Sequence, residues 1–121
     1  MQVVILCGGK GKRLLPLTKT KPKPMVLVNK KPFLLHLINY FKKNNFKNFL
    51  LLLGYKHKLI SDYFGNGKKF NIKIKYNIQS EKTNTSKRIF EAKHQLNEKF
   101  IIVYSDNFVV FDSKRYVNSF I

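Results

Sequence analysis

The 121 residues carry 24 lysines and arginines against six acidic residues, a formal charge of +18, with 44% hydrophobic and 14% aromatic side chains. That apolar content excludes a disordered chain and suffices for one globular unit; no run approaches 18 apolar residues and no charged leader precedes a cleavable apolar segment, so a cytoplasmic chain with no membrane association is expected. Lysines outnumber arginines twenty-one to three and are spread over the whole length among many Asn, Ile, Phe and Tyr, a compositional bias that predicts salt-sensitive stickiness to polyanions rather than specific nucleic-acid recognition, which favours arginine forks.

Residues 2–7 form a short apolar run that reads as a buried strand ending at Cys7, the single cysteine. One cysteine excludes an intramolecular disulfide and a multi-cysteine metal site, and its place predicts a small buried hydrophobe. A long loop rich in Gly, Lys and Pro follows. Residues 32–44 place Leu34, Leu37, Ile38 and Phe41 at helical spacing, with Pro32 in a permitted first-turn position. The run 48–54 is continuously apolar and closed by glycine, a second buried strand. Leu59, Ile60, Tyr63 and Phe64 mark a helix stopped at Gly65-Asn66-Gly67. Residues 70–78 alternate apolar and basic positions as a half-exposed strand would. Ile89, Ala92, Lys93 and Leu96 suit a third helix, residues 100–106 a fourth strand, and residues 112–121 the start of another helix.

This order, β-α-β-α-β-α-β, predicts an α/β fold of Rossmann-like type: a mostly parallel sheet with helices on both faces and right-handed crossovers, truncated after its fourth main strand. Ligands of such sheets bind beyond the carboxyl ends of the strands. The loop after the first strand and Asp106 after the fourth therefore fall on one edge.

The loop opens with Gly8, Gly9 and Gly11, followed by Arg13 and the stiff Pro22-Lys23-Pro24. Closely spaced glycines let backbone N–H groups approach phosphate, a guanidinium can grip polyphosphate bidentately, and the prolines hold Lys23 in place. Neither the P-loop nor the G-x-G-x-x-G pattern is satisfied: no GK[ST] follows, and Leu14 stands at the third glycine position. Lys10, Lys12, Lys19 and Lys21 also fit a solvated loop. Asp106 closes an apolar strand opposite this basic loop, where a carboxylate suits Mg²⁺, or else caps a turn with Asn107. His36, His57 and His94 have no ligand spacing, and no nucleophile–base set stands out.

The stretch "GGKGKRLLPLTKTKPKPMVLVNKKPFL" resembles the N-terminal signature of the sugar-phosphate nucleotidyltransferases, G-G-x-G-x-R-L-x-P-L-T-x-x-x-P-K-P-M. "LLGY" at 52–55, "YFGNGKKF" at 63–70 and "YSDNF" at 104–108 follow in that family's order. The resemblance covers essentially all of the chain and the first half of the family's usual catalytic domain, so residues 1–121 are expected to be the N-terminal nucleotide-binding part of a nucleotidyltransferase domain.

It implies that a sugar 1-phosphate oxygen attacks the α-phosphorus of a nucleoside triphosphate, giving a nucleotide sugar for polysaccharide synthesis and pyrophosphate. Carried onto this chain, Leu6, Gly8, Gly9, Gly11, Lys12, Arg13, Gln79 and Asn84 would bind nucleotide, with Gln79 and Asn84 at the base. Arg13 and Lys23 would be the catalytic cations and Asp106 the first Mg²⁺ ligand. Asn84 and Lys87 replace the two glycines of the family's base-contact loop, and Ser105 a glycine before Asp106, so the base is left open. The family's second metal-binding Asp and its sugar-contacting residues come later than Ile121. The alternative is therefore a catalytically incomplete nucleotide-binding fragment, with a complementary C-terminal chain or a homo-oligomer covering its exposed sheet edge.

Overall fold

The computed structural model describes residues 1–8 and 21–104. Its frame is a four-stranded, wholly parallel sheet: β1 (Gln2–Cys7), β4 (Asn48–Leu53), β5 (Lys73–Ile78) and β6 (Phe100–Tyr104), in the spatial order β5-β4-β1-β6. Gln2 stands level with Asn48 on one side and Phe100 on the other, and Leu6 with Leu52 and Tyr104. The parallel register brings all four strands to a common carboxyl edge.

The central strands are apolar after their first residues, Gln2 and Asn48, because both of their faces are covered. Val3, Ile5 and Cys7 turn to one face with Phe49, Leu51 and Leu53, where α1 (Phe33–Lys43) and α2 (His57–Phe64) pack through Leu34, Ile38, Phe41, Ile60 and Phe64. Val4, Leu6, Leu50 and Leu52 turn to the other, beneath Ala92, Ile89 and Leu96 around α3 (Thr85–Glu91). Helices thus lie on both faces as the alternation of elements requires. Each fully buried Leu, Ile or Phe side chain here contributes roughly 1.5–3 kcal/mol over its exposed state. Cys7 is buried, as expected.

Three boundaries differ from the periodicity, each for a local reason. The long loop contains a hairpin, β2 (Leu27–Val28) against β3 (Lys31–Pro32), turned by Asn29 and Lys30, both at positive φ. A two-residue turn of this kind matches strand twist, but strands of two residues show no period. His36 Nε2 bonds the Val28 carbonyl at 2.6 Å and ties the hairpin to α1.

The strand expected at 70–78 begins only at Lys73, because residues 68–70 form a 3₁₀ turn and Asn71 adopts the left-handed conformation (φ 59°). Phe70 stacks on Tyr63 instead of joining the sheet. The third helix lies one turn earlier than its apolar positions suggested, since Asn84 caps it and the chain tightens into a 3₁₀ turn at Lys93–Gln95. The helix expected at 112–121 lies outside the described residues. Among the described residues no helix is long and apolar enough to cross a membrane.

Candidate functional site

At the carboxyl edge three strand ends converge on one side chain. Arg88, on the second turn of α3, is only 4% exposed. Its Nη1 donates to the Leu53 carbonyl at the end of β4 (2.8 Å), and its Nη2 to the carbonyls of Gly8 after β1 (3.3 Å) and Ser80 after β5 (2.7 Å). Burial pushes the guanidinium below its ordinary range, yet arginine keeps its charge in proteins. A buried cation therefore sits beneath this edge, bound to carbonyl dipoles.

The two glycines flanking Arg88 are explained by it. A Cβ built on Gly8 would stand 2.2 Å from Arg88 Cζ, and one on Gly54 would stand 2.7 Å from Nη2 and 2.8 Å from the Gly8 carbonyl. The Gly8 carbonyl also accepts from the Tyr55 N–H (3.3 Å), extending the β1–β4 ladder past both strands. At Gly8 the backbone makes its close approach to a guanidinium, a contact that a reading for phosphate access alone would miss.

Beside these ends opens a cavity of about 480 Å³ lined by Gly54, Tyr55, Lys56, His57, Gln79 and Glu81, among others. Gln79 continues β5 through its N–H bond to the Leu53 carbonyl (3.0 Å) and is half-buried in the cavity wall. Its Nε2 donates to Asn77 Oδ1 at 3.1 Å.

The expected site residues fall into three groups. Gly8 and Gln79 are brought to the same edge, and Leu6 lies just below it with 8% exposure, packed in the core beneath α3. Lys23 and Asn84 belong to neighbouring elements: half-buried Lys23 opens a 3₁₀ turn that packs on α1 and α2, while exposed Asn84 caps α3, its Oδ1 accepting from the Lys87 N–H at 2.9 Å. Gly9, Gly11, Lys12, Arg13 and Asp106 lie outside the described residues. Among the described residues no three His, Cys, Asp or Glu side chains gather as a metal site. Losing the Asn84 cap is worth about 1 kcal/mol, so Asn84→Ala is expected to lower the unfolding free energy by about that much in a urea titration, with an unchanged denaturant slope.

The contacts of Arg88 and Gly54 at this edge were not foreseen from the sequence. The available signal was compositional: an arginine among twenty-one lysines marks a place where a planar fork of donors is needed.

Comparison with known proteins agrees with this architecture. The nucleotidyl transferase family profile matches residues 2–121. The chain belongs to the nucleotidyl transferase family. It is 38% identical over 115 residues to the D-glycero-alpha-D-manno-heptose 1-phosphate guanylyltransferase of Campylobacter jejuni, covering 95% of this chain and 52% of that protein. It is 36% identical over 112 residues to the bifunctional protein GlmU of Methanococcus maripaludis, covering 93% and 26%. The crystal structure of HddC from Yersinia pseudotuberculosis complexed with GMP-PN superposes with a TM-score of 0.85 at 34% identity, covering 98% of this chain and 53% of that one. The chain thus spans about half the length of two of these relatives and a quarter of the third.

Proposed function

We propose that residues 1–121 are the nucleotide-binding part of a cytoplasmic enzyme that transfers a nucleotidyl group from a nucleoside triphosphate to a sugar 1-phosphate. The observation that carries this is the family match over residues 2–121, with the carboxyl edge supplying the place. In the reaction an oxygen of the sugar phosphate attacks the α-phosphorus in line, the bond from that phosphorus to the bridging oxygen breaks, and pyrophosphate leaves. Such transfer needs positioning and charge stabilisation more than covalent help.

Each residue of this chain has a part. Gly8, Gly9 and Gly11, with Leu6 and Lys12, cradle the nucleotide, Gln79 and Asn84 meet the base, Arg13 neutralises the departing pyrophosphate, and Lys23 contacts the reacting phosphates. The buried charge of Arg88 adds a positive potential beneath the edge that favours an anionic ligand. Mg²⁺ held through Asp106 belongs to the same proposal, and when bound it neutralises phosphate charge. GTP is the first triphosphate to test, because the Campylobacter relative is a guanylyltransferase and HddC was solved with GMP-PN.

A second reading is a nucleotide-binding fragment or module without turnover. It predicts magnesium-linked triphosphate binding without pyrophosphate release. A homo-oligomer or a complementary C-terminal chain is proposed as a further partner.

Calorimetric titration of each triphosphate, with and without Mg²⁺, tests the common core. GTP is expected to bind selectively, more tightly with Mg²⁺, and Arg13→Ala to weaken it at least about tenfold, the scale of one charge-assisted contact. Equal affinity for all triphosphates, or no loss in Arg13→Ala, would sink this reading.

A further inference from the structure

Three side-chain amides stand in file beside the cavity. Gln95 Nε2 donates to the Tyr76 carbonyl (3.0 Å), Asn77 Nδ2 to Gln95 Oε1 (2.8 Å), and Gln79 Nε2 to Asn77 Oδ1 (3.1 Å). One end dictates the sense of the whole file. A carbonyl can only accept, so Gln95 must turn its nitrogen to Tyr76 and its oxygen to Asn77; Asn77 must then offer nitrogen to Gln95 and oxygen to Gln79. Gln79 is left no choice but to donate.

The first carbonyl is available because β5 is the outer strand among the described residues. Lys73 and Gln79 send their N–H groups to Lys47 and Leu53 on the β4 side, whereas Ile74 sends its own to Asn66; by the same alternation the backbone of Tyr76 faces away from β4. Gln95 is itself pinned. Its carbonyl accepts from Gln2 Nε2 (2.9 Å), and Gln2 Oε1 accepts from the Asn97 N–H (2.9 Å), with Gln2 only 2% exposed at the start of β1. Among the described residues, Gln79 is left with its Oε1 and one Nε2–H unpartnered.

We propose that Gln95 and Asn77 are positioning residues for base selection: starting from the Tyr76 carbonyl, they lock the amide sense of Gln79 so that the cavity presents one acceptor and one donor in a set order. This rests on the reading of Gln79 as the residue that meets the base. Guanine carries an acceptor at position 6 and a donor at position 1, and adenine carries them in reverse order; uracil and cytosine differ in the same way at positions 4 and 3. An amide free to flip would accommodate either order. A locked one leaves the wrong base with donors facing donors and acceptors facing acceptors. The file therefore separates keto bases from amino bases, and it does so by pre-organisation rather than by an added contact.

The test measures equilibrium affinities of GTP, ATP and, as a probe without a base, inorganic tripolyphosphate. The variants are Gln79→Ala, Gln95→Met, Asn77→Leu, Asn77→Asp and the double Gln79→Ala/Gln95→Met, all in the full chain. Discrimination between GTP and ATP is expected to fall by about five- to tenfold in Gln95→Met and Asn77→Leu, the scale of one misaligned polar contact, with tripolyphosphate affinity unchanged. Asn77→Asp keeps an acceptor for Gln79 and should retain the discrimination. Adding Gln95→Met to Gln79→Ala should change nothing further.

If Gln79→Ala loses discrimination while Gln95→Met and Asn77→Leu keep it, or if Gln95→Met acts equally without Gln79, the file is overturned and the base reading stands. If the unaltered chain does not discriminate, or Gln79→Ala still does, the base reading falls and the file with it. Should Gln95→Met fail to fold, the contrast between Asn77→Leu and Asn77→Asp decides.

Discussion

Arg88→Ala is expected to cost about 3 kcal/mol of folding free energy, the sum of the charge-assisted bonds lost to three carbonyls and an unfilled space. The three acceptors, on Gly8, Leu53 and Ser80, are main-chain groups at the ends of three different strands, so no repacking of side chains can remove them. That distinguishes this arrangement from a buried ion pair, where an apolar replacement of both partners is often neutral. Arg88→Met should therefore fail to rescue the loss, and Arg88→Lys should recover only part, because one ammonium cannot span the width of a guanidinium fork. Against a total stability of roughly 5–15 kcal/mol for such a domain, the effect is large. A thermal melt should show a fall of roughly 10 °C or more. An Arg88→Ala variant melting within about 2 °C of the parent would mean that the guanidinium does not hold the strand ends together.

Gly8→Ala should be nearly as damaging, and for a reason that a second substitution can expose. The added methyl would stand 2.2 Å from Arg88 Cζ, and although a guanidinium ends a flexible side chain, this one is pinned by its three carbonyls. Displacing it forfeits those bonds, about 3 kcal/mol. In an Arg88→Ala background the three nearest atoms, all from the guanidinium, are gone, so Gly8→Ala should then cost less than about 1 kcal/mol. The coupling of about 2 kcal/mol or more, read from a double-mutant cycle in urea, is the expected signature. Additive effects would show that Gly8 is required for some other reason, such as the approach of a phosphate. Triphosphate affinity measured on the folded variants separates the two, since phosphate access would make Gly8→Ala harmful to binding even without Arg88.

The succession of strands and helices was legible because both of its periods are strong. β1 and β4 are apolar at every position after the first, as strands covered on both faces tend to be, and α1 repeats its apolar residues at three and four. The elements that escaped were those held by single residues in unusual backbone states. Asn29 and Lys30 turn a hairpin too short for alternation, and Asn71 delays β5 by a left-handed kink. Gln79 entered through the family resemblance, whereas Gly8 could be placed at the carboxyl edge because a parallel sheet delivers its strand ends there. Arg88 could not, since nothing in "TSKRIF" says that its side chain will cross back to Gly8, eighty residues earlier.

Composition, periodicity and the glycine, arginine and proline loop were thus enough to specify an α/β unit with a common carboxyl edge and the family signature. These are properties of contiguous stretches, and local sterics and burial patterns write them directly into the chain. Which polar side chains meet is a different matter. The clamp of Arg88 on three strand ends and the file from Gln95 to Gln79 join residues far apart in number, and their partners are mostly backbone carbonyls, which every residue possesses alike. A carbonyl has no letter in the sequence, so only the packing of α3 and the Lys93–Gln95 turn against the sheet selects the ones that are used.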